Sequence, residues 1–101
     1  MNEITQEQIQ EWKDKHKFVY KATIDNVAYY FRTLTRDDYM AISAKQASAD
    51  GALDVELETV KVCLLNEMDE DSLKAKSGVV TVLSERIMAK SGFQQVEEEE
   101  L

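Results

Sequence analysis

Few residues in this chain could perform chemistry, and each lacks the neighbours that chemistry requires. The 101-residue sequence contains one cysteine, Cys63, and one histidine, His16. A nucleophilic cysteine needs a histidine, a cation or a helix start that lowers the pKa of its thiol. Cys63 falls late in a predicted helix beside an apolar stripe, and His16 lies between two lysines at the end of another. We interpret Cys63 as a buried structural residue and His16 as a surface cation, and we predict no catalytic residue.

Acidic residues cluster in the middle of the chain, where they could hold a hard cation such as Ca²⁺. The clustered carboxylates are those of Asp50, Asp54, Glu56, Glu67, Asp69, Glu70 and Asp71. Their spacing does not match a calcium-binding loop, because Gly51 directly follows the first aspartate. Three scattered glycines cannot form a phosphate-binding loop. We interpret the acidic residues as a solvated surface, with a divalent-ion site as the alternative, and we predict no cofactor.

The composition argues against several classes of binding partner. The net charge is −8, from 12 basic and 20 acidic residues. Nucleic acids and anionic membranes both attract basic surfaces, so the charge argues against either as a partner. No stretch approaches the ~20 apolar residues of a membrane span, and the first ten residues are too polar for a signal peptide. These features predict an acidic, non-enzymatic protein of the cytoplasm.

The remaining candidates are residues suited to binding another protein. On the predicted hairpin described below, Tyr30 and Arg32 face away from the core, and two such residues are too few to stack nucleic-acid bases. Tyrosine and arginine are, however, enriched at the centres of protein interfaces. Trp12 is the largest side chain on a narrow apolar stripe, and it either docks its helix onto the domain or inserts into a partner. Trp12, Tyr30 and Arg32 are therefore the candidate partner-binding residues.

A β-hairpin is the clearest element that the sequence predicts. The pair Asp25-Asn26 tolerates the positive φ angles of a type I′ turn between two apolar runs. A two-residue loop pairs the strands outward from the turn as far as Phe18 opposite Thr33, and it puts these paired side chains on one apolar face. Both edges of the hairpin are left unpaired, so a partner or a second copy could add a strand. The predicted strands are residues 18–24 and 27–34.

Predicted helices precede and follow this hairpin in the sequence. Thr5 with Gln8, and Thr35 with Asp38, have the spacing of a capping box at a helix start. Residues 53–57 alternate like a strand, but the apolar pattern there exceeds ten residues and favours a helix. The predicted helices are residues 5–16, 35–46, 53–66 and 78–91, with a short helical turn around Leu73.

The predicted architecture is a single α+β domain over residues 1–93. It has an N-terminal helix, one antiparallel β-hairpin and then three helical segments packed on the hairpin. Gly92 stands where the last helix needs a left-handed residue, and Phe93 is placed to contact Met88 as in a Schellman ending. Residues 94–101 end in four glutamates and are predicted to be a disordered acidic tail.

Two stretches resemble small tail-assembly chaperones and related accessory proteins of tailed bacteriophages. The segment YFRTLTRDDY at residues 30–39 resembles the junction in those proteins between a hairpin strand and a helix. The segment GVVTVLSERI at residues 78–87, followed by KSGF at 90–93, is similar to their last helix. The two stretches cover the end of the second predicted strand, the start of the helix after it, and the last predicted helix.

This resemblance implies a non-enzymatic assembly chaperone or adaptor in the cytoplasm of an infected bacterium. Such proteins bind other phage structural proteins, especially the tape measure or the tail tube, and keep apolar helices from aggregating. A permanent structural part of the virion, such as a tail or head–tail ring subunit, is the alternative. A small acidic regulator of a host nucleic-acid-binding protein is a third hypothesis. The unpaired hairpin edges also favour a homo-oligomer.

Overall fold

The computed structural model describes residues 4–49, 52–93 and 96–101. Helix α1 precedes a two-stranded antiparallel sheet, and four helices follow in the described residues. The predicted α+β class is thus confirmed, and the turn predicted around Leu73 is a separate short helix. The elements are α1 (Gln6–Lys15), β1 (Val19–Ile24), β2 (Val27–Arg32), α2 (Arg36–Ser48), α3 (Val55–Cys63), α4 (Glu70–Lys74) and α5 (Ser77–Lys90).

The hairpin has the predicted register. Ile24 lies opposite Val27 and the pairing continues outward from the turn. Asp25 and Asn26 have φ angles of 50° and 66°, which both central residues of a type I′ turn require. Short polar side chains tolerate this left-handed region better than others do, so the turn follows directly from these two residues.

The strands are shorter than predicted. β1 begins at Val19 and β2 ends at Arg32, so the predicted pair of Phe18 and Thr33 lies outside the sheet. The Leu34 N–H donates to the Ser91 hydroxyl at 2.8 Å, which directs the chain toward α5 and away from β1. Phe18 is consequently 47% exposed, and its predicted place on the core face is wrong.

The core lies between the hairpin and the C-terminal helices. α3 packs against α5, while α2 contacts α3 and α4 contacts α5. Tyr29 and Phe31 of β2 join a buried cluster with side chains from α2 to α5, as predicted for helices packed on a hairpin. Burying one such aromatic side chain contributes about 1.5–3 kcal/mol. The most deeply buried side chains are Val60, Cys63, Leu83 and Ile87.

Capping side chains set the starts of the first two helices. The Thr5 hydroxyl accepts the Gln8 N–H at 3.1 Å before α1. Before α2, Thr35 and Asp38 each accept the backbone N–H of the other, which completes the predicted capping box. α2 continues to Ser48, so residues 47 and 48 are helical where a loop was predicted, and the rest of that loop at 50–51 lies outside the described residues.

Helix α3 is shorter than predicted at both ends. It starts at Val55, because the Asp54 carboxylate accepts the Leu57 N–H at 3.1 Å and acts as the N-cap. It ends at Cys63, whereas the apolar pattern predicted a helix through Asn66. Residue 64 leaves the helix and forms an antiparallel β-bridge with Phe31.

The end of α5 has the predicted Schellman geometry. Gly92 has a φ of 96°, and the Phe93 N–H donates to the Met88 carbonyl at 3.0 Å. The Phe93 ring packs on Tyr39, with centroids 5.4 Å apart, and so joins the end of α5 to α2. The predicted tail begins at residues 94–95, which lie outside the described residues, and its residues 96–101 are exposed without secondary structure.

Candidate protein-binding edge of the hairpin

The outer edge of β2 is closed by the segment 64–66. The Leu65 N–H donates to the Tyr30 carbonyl at 2.8 Å. The Asn66 side-chain oxygen accepts the Tyr30 N–H at 2.7 Å, and its amide nitrogen donates to the Ala28 carbonyl at 2.9 Å. An asparagine amide offers a donor and an acceptor together, so Asn66 pairs with a strand edge much as a backbone peptide would. This edge is therefore unavailable to another strand.

The outer edge of β1 is open. The Tyr30 N–H forms its hydrogen bond with Asn66, on the side of β2 that faces away from β1. Lys21 lies directly opposite Tyr30 in the sheet. Opposite residues of an antiparallel pair direct their backbone groups either toward each other or away from each other. Lys21 therefore directs its N–H and carbonyl away from β2. Val19 and Thr23, two positions before and after it, do the same. In the described chain the sheet has two strands, so these three residues present a strand-long row of free backbone groups.

Trp12 and Tyr30 contact each other, which explains how α1 is attached. Their ring centroids lie 5.5 Å apart on the sheet face opposite the core. Tyr30 lies on the face opposite the core, as predicted, but α1 covers that face and the side chain is only 9% exposed. The half-buried Trp12 docks α1 onto the domain, one of the two roles considered for it. A direct role of either residue in partner binding stays a prediction.

Arg32 links three elements at the end of β2. Its Nη1 donates to Asp38 Oδ2 at 2.7 Å and to the Thr33 carbonyl at 3.0 Å. Its Nη2 donates to the Val62 carbonyl near the end of α3 at 3.1 Å. The hydrogen bond to Asp38 raises the pKa of Arg32 despite partial burial. The guanidinium is thus engaged inside the domain, and its role in binding a partner stays a prediction.

The Asp38 carboxylate is held ionised by the same contacts. Burial on its own raises the pKa of a carboxyl group, but the hydrogen bonds from Arg32 and Thr35 outweigh it, so the pKa of Asp38 is lowered. The carboxylate therefore joins the end of β2 to the first turn of α2.

Cys63 is buried as predicted, whereas the half-buried His16 does not have the features of the predicted surface cation. Cys63 is fully buried, and burial raises the pKa of its thiol to about 11, against a smaller opposing effect of Arg32. The pKa of His16 is lowered by burial and by the nearby charges of Arg32 and Lys15. Within the described ranges no three His, Cys, Asp or Glu side chains form a group suited to a metal ion.

Among the described residues, no helix is both long enough and apolar enough to cross a lipid bilayer.

Sequence reasoning missed the closure of the β2 edge. The residues that close it, Leu64 to Asn66, continue the apolar pattern of α3, so helical periodicity hides the point where the helix stops. Their partners on β2 lie more than thirty positions earlier in the chain. The one local signal is Asn66 itself, since asparagine favours the ends of helices over their interiors.

The chain was compared with protein-family models, with curated proteins and with solved structures, and none of the three comparisons gives a match.

Proposed function

We propose that this protein is a non-enzymatic adaptor or assembly chaperone that binds an extended segment of another protein along β1. The observation that carries the proposal is the asymmetry of the hairpin. Segment 64–66 closes one edge with three hydrogen bonds, while the other edge presents free backbone groups at Val19, Lys21 and Thr23. An open strand edge is a template for main-chain pairing with a second chain.

The energetics of a small sheet favour such an addition. A hairpin of two strands is marginally stable in water, and this one depends on the helices that cover both of its faces. A third strand would gain main-chain hydrogen bonds at β1 without disturbing either face. The exposed Phe18, directly before β1, offers apolar contact area at the start of the added strand.

The resemblance of residues 30–39 and 78–93 to tail-assembly chaperones of tailed bacteriophages supports a partner among phage structural proteins. On this proposal the tape measure or the tail tube protein supplies the segment, and binding takes place in the cytoplasm of the infected bacterium. The strongly acidic residues 97–100 would help to keep such a complex soluble.

Co-expression with the genes that flank this one, followed by size-exclusion chromatography, tests the proposal. Thr23→Pro removes an outward N–H of β1 that bonds to nothing inside the sheet, so the strand should tolerate it as an edge position. We expect the wild type and the matched control Thr23→Ala to co-elute with a tail protein and Thr23→Pro to lose it. The absence of any complex would contradict the adaptor function, and a complex unaffected by Thr23→Pro would contradict the binding edge.

Mass spectrometry of purified particles separates the chaperone from a permanent virion component. A chaperone leaves before or during maturation and should be missing from the particles. Stoichiometric amounts of the protein in mature virions would favour a ring or tail subunit.

A further inference from the structure

We infer that the segment which adds to β1 is acidic. This inference rests on the proposed function, because it names the chemistry of the strand that the open edge accepts. The geometry that points to it is a pair of lysines placed on the two faces of the sheet at this edge.

Each lysine lies over a tyrosine ring. The Lys21 ammonium is 5.9 Å from the Tyr30 ring centroid, on the α1 face of the sheet. The Lys90 ammonium, which comes from the end of α5, is 5.2 Å from the Tyr20 ring centroid. Tyr20 and Lys21 are neighbours in β1, so their side chains point to opposite faces. The open edge therefore has one cation on each face.

These cations are not neutralised within the described chain. The ion pairs of the described residues use Arg32, Lys45, Lys61, Lys74 and Lys76. Lys21 and Lys90 instead contact ring faces, which attract an ammonium but carry no net charge. An ammonium has three N–H donors, so one that lies on a ring can still donate to a carboxylate.

More positive charge lies near the same end of the molecule. The Lys17 ammonium is 5.5 Å from the Phe18 ring centroid, immediately before β1. The Arg36 guanidinium is 5.4 Å from the Tyr39 ring centroid, and that ring contacts Phe93 three residues after Lys90. Basic side chains that contact aromatic rings thus lie at and near the open edge, although the whole chain carries a charge of −8.

The position of a partner strand follows from sheet geometry. Side chains directly opposite across two strands have Cβ atoms about 4.5–5.5 Å apart. The partner residue opposite Lys21 lies on the same face as that ammonium, and the next partner residue lies opposite Tyr20 on the face of Lys90. Opposite charges at such positions are favourable, so two consecutive acidic residues of the added strand would each meet a lysine.

The same lysines disfavour a second copy of this chain. Two β1 strands paired antiparallel in the register centred on Lys21 would set Lys21 opposite its counterpart, and like charges at that position are destabilising. Lysines on an exposed edge commonly prevent pairing with identical strands. Here they would do so while admitting a strand of opposite charge.

Two fluorescent eight-residue peptides built from Val and Thr test the inference against the full-length protein. One contains four Glu, and the other contains Gln at the same four positions. We expect fluorescence anisotropy to show at least about fivefold tighter binding of the Glu peptide, since two cross-strand charge pairs are formed. Lys21→Gln and Lys90→Gln should each weaken this binding by about twofold to fivefold and leave the Gln peptide unaffected. Lys74→Gln, on α4, is the matched control and should change neither affinity.

The outcomes separate this inference from the proposed function. If both peptides bind equally and Thr23→Pro abolishes both, the edge accepts a strand but the acidic preference is overturned. If neither peptide binds, the acidic preference is overturned, and the co-expression complex decides the proposed function independently. Tighter binding of a fluorescent oligothymidine than of the Glu peptide would overturn the inference in favour of a nucleic acid. A variant with Gln at positions 97–100 that binds the Glu peptide ten times tighter would overturn the assignment of the acidic segment to a second protein, in favour of the chain's own tail.

Discussion

The Asp38 carboxylate connects the end of β2 with the start of α2. It accepts the Thr35 N–H at 3.0 Å and Arg32 Nη1 at 2.7 Å, so it caps α2 and holds the end of β2 at the same time. Arg32 in turn reaches the Val62 carbonyl of α3. The Arg32 side chain thereby joins the hairpin to α2 and α3.

Asp38→Ala should lower the free energy of unfolding by about 2–3 kcal/mol, since it removes a cap and a charge-assisted hydrogen bond. Asp37→Ala is the matched control in the same first turn, where an exposed aspartate gains only the favourable helix dipole. Its cost should be about 0.5 kcal/mol. Urea unfolding of both variants measures the difference, and equal losses would show that the contacts of Asp38 contribute nothing specific.

Acid should weaken the same link. The pKa of Asp38 is lower in the folded state than in the unfolded chain, so its contribution is present above the unfolded value of ~4 and is lost as pH falls through the folded value. The stability gap between wild type and Asp38→Asn should therefore shrink as pH falls below about 4. Subtracting the variant cancels other groups such as Asp69, whose pKa is also lowered. A gap that stays constant with pH would contradict this role of the carboxylate.

Contacts between residues a few positions apart could be predicted from the sequence, because the residue types and their spacing indicate them directly. The Asp25-Asn26 turn and the Thr35–Asp38 capping box depend on neighbouring residues, and both form as predicted. The bond from Arg32 to Val62 spans 30 positions, and no local pattern indicates it. For the same reason the sequence, which predicts that Arg32 faces away from the core, does not indicate that α2 and α3 hold its guanidinium.

Among the elements, segment 64–66 makes the two edges of the hairpin different, because it closes the edge of β2 and leaves the edge of β1 open. Asn66→Ala should lower the free energy of unfolding by about 1–3 kcal/mol, since it leaves the Tyr30 N–H and the Ala28 carbonyl without their partner. It should also open the second edge and increase self-association, measured by light scattering. The exposed neighbour Glu67→Ala is the control. Unchanged stability and a monodisperse Asn66→Ala protein would contradict the closure of this edge.

Helix α1 depends on Trp12 in a comparable way, since α1 contributes no fully buried residue of its own. Trp12→Ala should release α1, lower helical circular dichroism and accelerate amide exchange across residues 6–15, while the remaining domain stays folded. Glu11→Ala, an exposed neighbour, should leave the exchange of α1 unchanged. Persistent protection of α1 in Trp12→Ala would show that other contacts hold it.

Element boundaries were harder to predict than the elements themselves. Strand alternation correctly put Tyr30 on the face opposite Phe31, but it could not show that α1 covers that face as well. The apolar run into Leu64 gave no sign that the chain leaves α3 to pair with β2. Both errors concern contacts between segments distant in sequence, which tertiary packing decides.

At the scale of the whole molecule, charge is distributed unevenly along the chain. Residues 47–71 carry eight acidic side chains against Lys61, and residues 97–100 are all glutamate. Ion pairs of Glu58 and Glu70 with lysines of α2, α3 and α4 neutralise part of the first region. The open edge of β1 lies beside unpaired cations instead. The surface where we expect the partner to bind therefore carries positive side chains, although the chain as a whole is acidic.

Residue-resolved amide hydrogen exchange of the full-length protein, alone and with its co-purified partner, tests this account most directly. In the free protein the Lys21 amide should exchange much faster than the Tyr30 amide, because Tyr30 donates to Asn66 and Lys21 donates to solvent. In the complex Lys21, Val19 and Thr23 should become protected while Tyr30 is unchanged. Equal protection of Lys21 and Tyr30 in the free protein, or an unprotected Lys21 in the complex, would contradict the claim that β1 is the partner-binding edge.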